Sequence, residues 1–128
     1  IKNPDLKKNS TNIFETVNLK PLNEKLKDNC KIIKGNLPDS IKEFFEAKDR
    51  FREKYLKISI VYIDCNDYKT SLTSLNILYP YFLKGCILAV DENTLGGETK
   101  ALEEFCNLKN LNFKNGDFNG VISSYAQI

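Results

Sequence analysis

The chain has 128 residues, a formal net charge of +2 with its lysines and arginines spread along it, and no histidine. That length suits one domain with a modest core. The scattered charge offers no basic patch for nucleic acid or an anionic membrane, and no apolar run is long enough to span a bilayer. Without histidine, the usual general base and zinc ligand are missing, which argues against Ser-His-Asp and Cys-His catalysis.

Residues 1–14, "IKNPDLKKNSTNIF", are polar and rich in Asn and Lys, and read as a loop or frayed helix. "ETVNLKPLNEKLKDN" is weakly helical and ends near Asn29. A short strand is expected at Cys30 to Lys34, then a Gly-Asn turn, then a helix with Ile41, Phe44 and Phe45 as apolar positions. Asp39 or Ser40 is the candidate cap of that helix. "EAKDRFREKYLK" reads as its charged, solvated continuation.

The strongest strand signal is Ile58 to Ile63, β-branched and aromatic, with a makeup suited to burial on both faces. A helix follows, with Leu72, Leu75, Leu78 and Phe82 at helical spacing and Gly85 as its stop. "CILAV" makes a second buried strand running into Asp91-Glu92, and "GGETKALEEFCNL" a third helix. "LNF" and "VISSYAQI" read as two strands joined by the turn "KNGDFNG". Alternation of this kind predicts one α/β domain with a largely parallel sheet and right-handed crossovers.

The four cysteines, Cys30, Cys65, Cys86 and Cys106, are well separated and form no CxxC pair. Cys65 and Cys86 lie in or beside apolar runs, where the residue acts as a small buried hydrophobe. Reduced thiols in a cytoplasmic protein are therefore expected, not a disulfide framework.

The stretch "SIVYIDCNDYKTS" carries the functional signal. Its apolar strand stops at Asp64, and the next strand stops at Asp91. Ligands of open α/β sheets bind at the carboxyl ends of strands, and neighbouring strands lie roughly 4.8 Å apart. If these two strands are neighbours, Asp64 and Asp91 face one crevice and repel unless a cation lies between them. Glu92 adds a third oxygen ligand, and an all-oxygen set suits a hard ion such as Mg²⁺. The plainer reading also stands: Asp64 caps the following helix.

The segment "VYIDCNDYKTSLTSLNILYPYFLKGCILAVDENTLGGETKALEEF" resembles the C-terminal half of the macrocin O-methyltransferase family, class I enzymes dependent on S-adenosylmethionine. The matching elements are Asp64-Cys65-Asn66-Asp67-Tyr68, Tyr79-Pro80, Gly85-Cys86, Asp91-Glu92, Gly97-Glu98, Lys100-Ala101 and Glu104-Phe105. Upstream, "IIKGNLPDSI" is similar to the family's turn beside the adenine, and the resemblance covers about residues 15–128. It implies a Rossmann-like sheet, mostly parallel with an antiparallel C-terminal strand. It also implies an O-methyltransferase acting on the hydroxyl of a sugar-like or other small-molecule natural product.

By position, the resemblance implies that Asp64, Asp91 and Glu92 hold the Mg²⁺. Gly35, Asn36 and Leu37 would border the adenine, and Asp64 the methionine end of the cofactor. Asp67 would be the proton acceptor at the mouth, and Tyr68 either lines that mouth or packs. The sequence departs from the pattern at Asn36, Asn66 and Glu92, and it has no glycine-rich GxGxxG loop after a first strand. The expectation is therefore the C-terminal portion of a methyltransferase domain, completed by an N-terminal half or by a second copy in a homo-oligomer. Two alternatives stay open: a non-catalytic methyltransferase-like binding or assembly module, and a cephalosporin-hydroxylase-like relative.

Overall fold

A computed structural model gives the fold and describes residues 24–25, 30–47, 55–91, 97–115 and 122–128. By internal contacts the chain divides into Ile1–Lys34 and Gly35–Ile128. Of the first unit, residues 30–34 form no strand, contrary to the expectation from Cys30 to Lys34. The weakly helical stretch before them lies almost wholly outside the described residues, as does most of the charged continuation after residue 47.

The second unit runs α1 (Asp39–Glu46), β1 (Ile58–Ile63), α2 (Tyr68–Leu78), a 3₁₀ turn (Tyr79–Tyr81), β2 (Phe82–Asp91), α3 (Glu98–Lys109), β3 (Phe113–Asn115) and β4 (Ile122–Gln127). The four strands form one sheet in the order β1-β2-β4-β3. β1 and β2 pair in parallel, while β4 runs antiparallel to both β2 and β3. The result is a mixed α/β sheet with its antiparallel strand at the carboxyl end of the chain, as expected. Neither Asp39 nor Ser40 caps α1: Pro38 stands at the cap without a side-chain hydrogen bond, and Asp39 is the first helical residue.

Two boundaries differ from the sequence expectation, and both have a local cause. The helix expected to reach Phe82 ends at Leu78, because Pro80 lacks the N–H that an α-helix needs and the chain tightens into a 3₁₀ turn. Phe82 therefore opens β2. Gly85, expected as a helix stop, instead sits inside that strand with φ +88. The register between β1 and β2 shifts here, where Ile58 faces Phe82 but Ile60 faces Ile87. Glycine accepts the left-handed backbone that such a bulge requires.

The core lies on one face of the sheet. Ile63, Leu88, Val90 and Ala126 point from the strands onto Leu75 of α2 and onto Leu102 and Phe105 of α3. Cys86 and Cys106 are buried among them, and burial pushes the Cys106 thiol up to about 11, so both act as inert packing groups. Cys65, Cys86 and Cys106 carry no disulfide.

Among the described residues β1 is an edge strand, not one buried on both faces. Ile60 is 68% exposed and Tyr62 48%, on the face opposite Ile63. No helix among the described residues is long and apolar enough to cross a membrane.

This asymmetry can be tested by urea unfolding. Phe105→Ala should lose about 3–5 kcal/mol, enough to threaten a small domain, whereas Ile60→Ser should change stability by under about 0.5 kcal/mol.

Candidate functional site

The β1–β2 pairing sets the rim at which the two strand-end acids follow. The parallel register runs Val61 to Leu88, Tyr62 to Ala89 and Ile63 to Val90, so Asp64 follows the end of β1 and Asp91 is the last residue of β2. Side chains alternate along a strand. With Ile63 and Val90 directed into the core, Asp91 takes the opposite face, where Tyr62 reaches it, and Asp64 follows the strand close enough for its charge to act on Tyr62. Asp64 is exposed and Asp91 half-buried. The Tyr62 hydroxyl donates to Asp91 Oδ1 at 3.1 Å. Desolvation by its surroundings, this hydrogen bond, and the negative charges of Asp91, Asp64 and Glu98 all push the Tyr62 phenol up. Tyr62 thus stays a donor at neutral pH and orients Asp91.

The turn leaving β1 gives the remaining acid a different place from the one expected. Asp67, not Asp64, caps α2: its Oδ2 accepts the Thr70 N–H at 2.6 Å. A hydrogen bond with the Thr70 side chain, and after it this backbone bond, hold the Asp67 carboxyl below the usual aspartate range. A carboxylate with lowered proton affinity that is committed to a cap is a weak proton acceptor. Tyr68 packs: its hydroxyl donates to Glu104 on α3. The Gly35-Asn36-Leu37 turn leads into α1, where the Asn36 carbonyl accepts the Ser40 N–H at 2.8 Å. A Cβ on Gly35 would meet Ser40 Cβ at 2.5 Å, so the tight turn needs glycine. α1 packs against α2, and Phe45 stacks on Tyr81 at 4.1 Å between ring centroids. Glu92 and the rest of 92–96 lie outside the described residues.

Glu98 is the residue whose role the sequence did not disclose. It is 0% exposed. Its Oε1 accepts the backbone N–H of Cys65 and that of Asn66, the latter at 2.5 Å, while its Oε2 has no hydrogen-bond partner among the described residues. Asn66 has φ +55, and successive N–H groups in such a turn form a concavity that favours an anion. Each charge-assisted bond contributes about 1.5–3 kcal/mol, while burying a carboxylate costs several kcal/mol. The neighbouring Gly97 has φ +85, and a Cβ there would meet Tyr68 Cβ at 2.8 Å. The start of α3 is therefore pressed directly onto the start of α2. In the sequence, Glu98 appeared only as one member of a Gly-Glu pair; an acid directly after glycine at a helix start was the available signal.

Among the described residues, no cluster of three or more His, Cys, Asp or Glu side chains could hold a metal. Asp64 and Asp91 are the two described acids of the expected set, and the third, Glu92, lies outside the described residues.

No protein-family model matches the chain, and neither does any curated protein. Among solved structures it is similar to the apo structure of CalS11, a TDP-rhamnose 3'-O-methyltransferase of calicheamicin biosynthesis, at 19% identity and a TM-score of 0.57. That similarity covers 74% of this chain and 39% of the other. The chain thus spans well under half of the solved protein, and the likeness is one of fold. It supports a class I methyltransferase-like Rossmann architecture, not the macrocin O-methyltransferase family specifically.

The cap predicts a pH-dependent stability. Asp67→Ala should lower stability by about 1 kcal/mol at pH 7. Because the folded carboxyl lies below its ordinary value of 3.8, that contribution is complete above this value. It is lost as pH falls through the lower, folded one. Urea midpoints of the two proteins should therefore converge in strong acid and stay apart at neutral pH.

Proposed function

We propose that this chain is part of a methyltransferase that uses S-adenosylmethionine and a hard divalent cation to methylate a hydroxyl on a sugar-like small molecule. The observation that supports this most is the parallel pairing of Ile63 with Val90, the residues just before Asp64 and Asp91, on a fold similar to that of a sugar O-methyltransferase.

In this reading Asp64, Asp91 and Glu92 hold the cation, with Mg²⁺ the suitable ion for an oxygen-only set. With the methyl activated in the cofactor and the hydroxyl made more acidic by a Lewis-acid cation, the task left to the protein is alignment. Tyr62 contributes by fixing the Asp91 carboxylate, and Asp67 by starting α2 directly after Asp64. Proton removal is not assigned to Asp67, whose carboxylate is engaged by Thr70. The Gly35–Leu37 turn is proposed beside the adenine, as the resemblance implies.

A second reading keeps the fold without the chemistry, as a binding or assembly module. It rests on the likeness to the solved enzyme being one of fold, at 19% identity. Isothermal titration with Mg²⁺ and S-adenosylmethionine separates the two. The proposal expects both to bind, with Asp64→Ala and Asp91→Ala each weakening Mg²⁺ by at least about tenfold. Unchanged Mg²⁺ binding in both variants defeats the metal assignment, and a protein indifferent to S-adenosylmethionine supports the module.

A further inference from the structure

Glu98 is buried, one of its carboxylate oxygens has no partner among the described residues, and it has no part in the proposed chemistry. Its carboxylate joins two segments that are distant in sequence. One is the turn Cys65-Asn66, which begins immediately after Asp64. The other is the first turn of α3, which closes the segment that begins after Asp91. Both carboxylates of the strand-end pair therefore border chain tied together by one side chain.

Two further contacts fix the same junction. Gly97 lies so close to Tyr68 that no Cβ fits between them, and the Tyr68 hydroxyl reaches Glu104, less than two turns further along α3. Oε1 takes two N–H groups from adjacent residues, one of them Asn66 with its left-handed backbone. The chain's own carboxylate thus fills the anion-favouring concavity at the end of β1, and an external anion is excluded from it.

We propose that Glu98 is the positioning residue of this site: its carboxylate clamps the β1–α2 turn to α3 and so sets Asp64 against Asp91. The cation-binding part of this inference rests on the function proposed above, whereas the clamp itself does not.

Nuclear magnetic resonance of the whole chain tests the clamp without any ligand. The comparison is between wild type, Glu98→Ala, Glu98→Gln and the exposed-site control Glu103→Ala. In Glu98→Ala, the Cys65 and Asn66 amides should exchange at least about tenfold faster, as expected for loss of a charge-assisted bond. Cross-strand proton contacts should weaken between Ile63-Asp64 and Val90-Asp91 while those between Val61 and Leu88 persist. Glu98→Gln retains an acceptor oxygen and should restore much of the protection, which also keeps the test decisive if the alanine variant fails to fold. Glu103→Ala should match wild type. Unchanged exchange in Glu98→Ala overturns the clamp, as does a glutamine variant no better protected than alanine. Intact strand-end contacts in Glu98→Ala overturn the positioning role. Mn²⁺ titration of the same proteins adds a separate arm, with affinity expected to fall about 10- to 100-fold in Glu98→Ala. A wild type that ignores Mn²⁺ while the amides behave as expected sinks the cation reading and leaves the clamp standing. Full Mn²⁺ affinity in Glu98→Ala contradicts the positioning role.

Discussion

The parallel pairing of β1 with β2 is the constraint from which the rest follows. A parallel ladder forces both strands to end at the same rim of the sheet, so the residues following Ile63 and Val90 come to that rim whatever their chemistry. In this chain both are aspartates. A one-residue slip would turn one of them into the core face beside Leu75 and Phe105, where an unpaired carboxylate costs several kcal/mol. The buried Ile63, Leu88 and Val90 therefore hold the register, and the register holds the acids. Packing and candidate chemistry are two sides of the same pleat.

Helix placement then refines what the strands set roughly. α2 and α3 cover one face of the sheet, and their N-terminal ends converge on the rim that carries Asp64 and Asp91. Asp67 starts α2 through its cap. Gly97 lets α3 approach Tyr68 closely enough for Glu98 to reach the turn between β1 and α2. Each is a local feature with a modest energy. Together they fix the turn after β1 and the starts of α2 and α3.

Much of this was legible in the sequence, for physical reasons. Ile58–Ile63 and the run ending at Asp91 stood out because β-branched apolar runs have few alternatives to a sheet, and the short connection between them implied a crossover to a neighbouring strand. α3 was visible from its glycine start to its last leucines, and Asn110, in left-handed backbone, ends it one residue past Lys109. The helix–strand boundary near Pro80 was misread because Leu78 and Phe82 keep helical spacing while proline denies the hydrogen bond. Burial of β1 on both faces was overestimated, since composition does not show that a strand is at an edge. The strand expected at Cys30–Lys34 lacked any partner that the sequence could reveal. Glu98 was hidden for a similar reason: its partners are backbone N–H groups some thirty residues earlier, and backbone donors leave no trace in a residue pattern.

The central claim is that Asp64 and Asp91 share one cation at this rim. Paramagnetic broadening by substoichiometric Mn²⁺, read residue by residue in a spectrum of the labelled chain, tests it most directly. The account predicts that the amides of Asp64 to Asn66 and of Val90 and Asp91 broaden first and together, with β3 unaffected. Broadening that begins elsewhere, or reaches one strand end without the other, would contradict it.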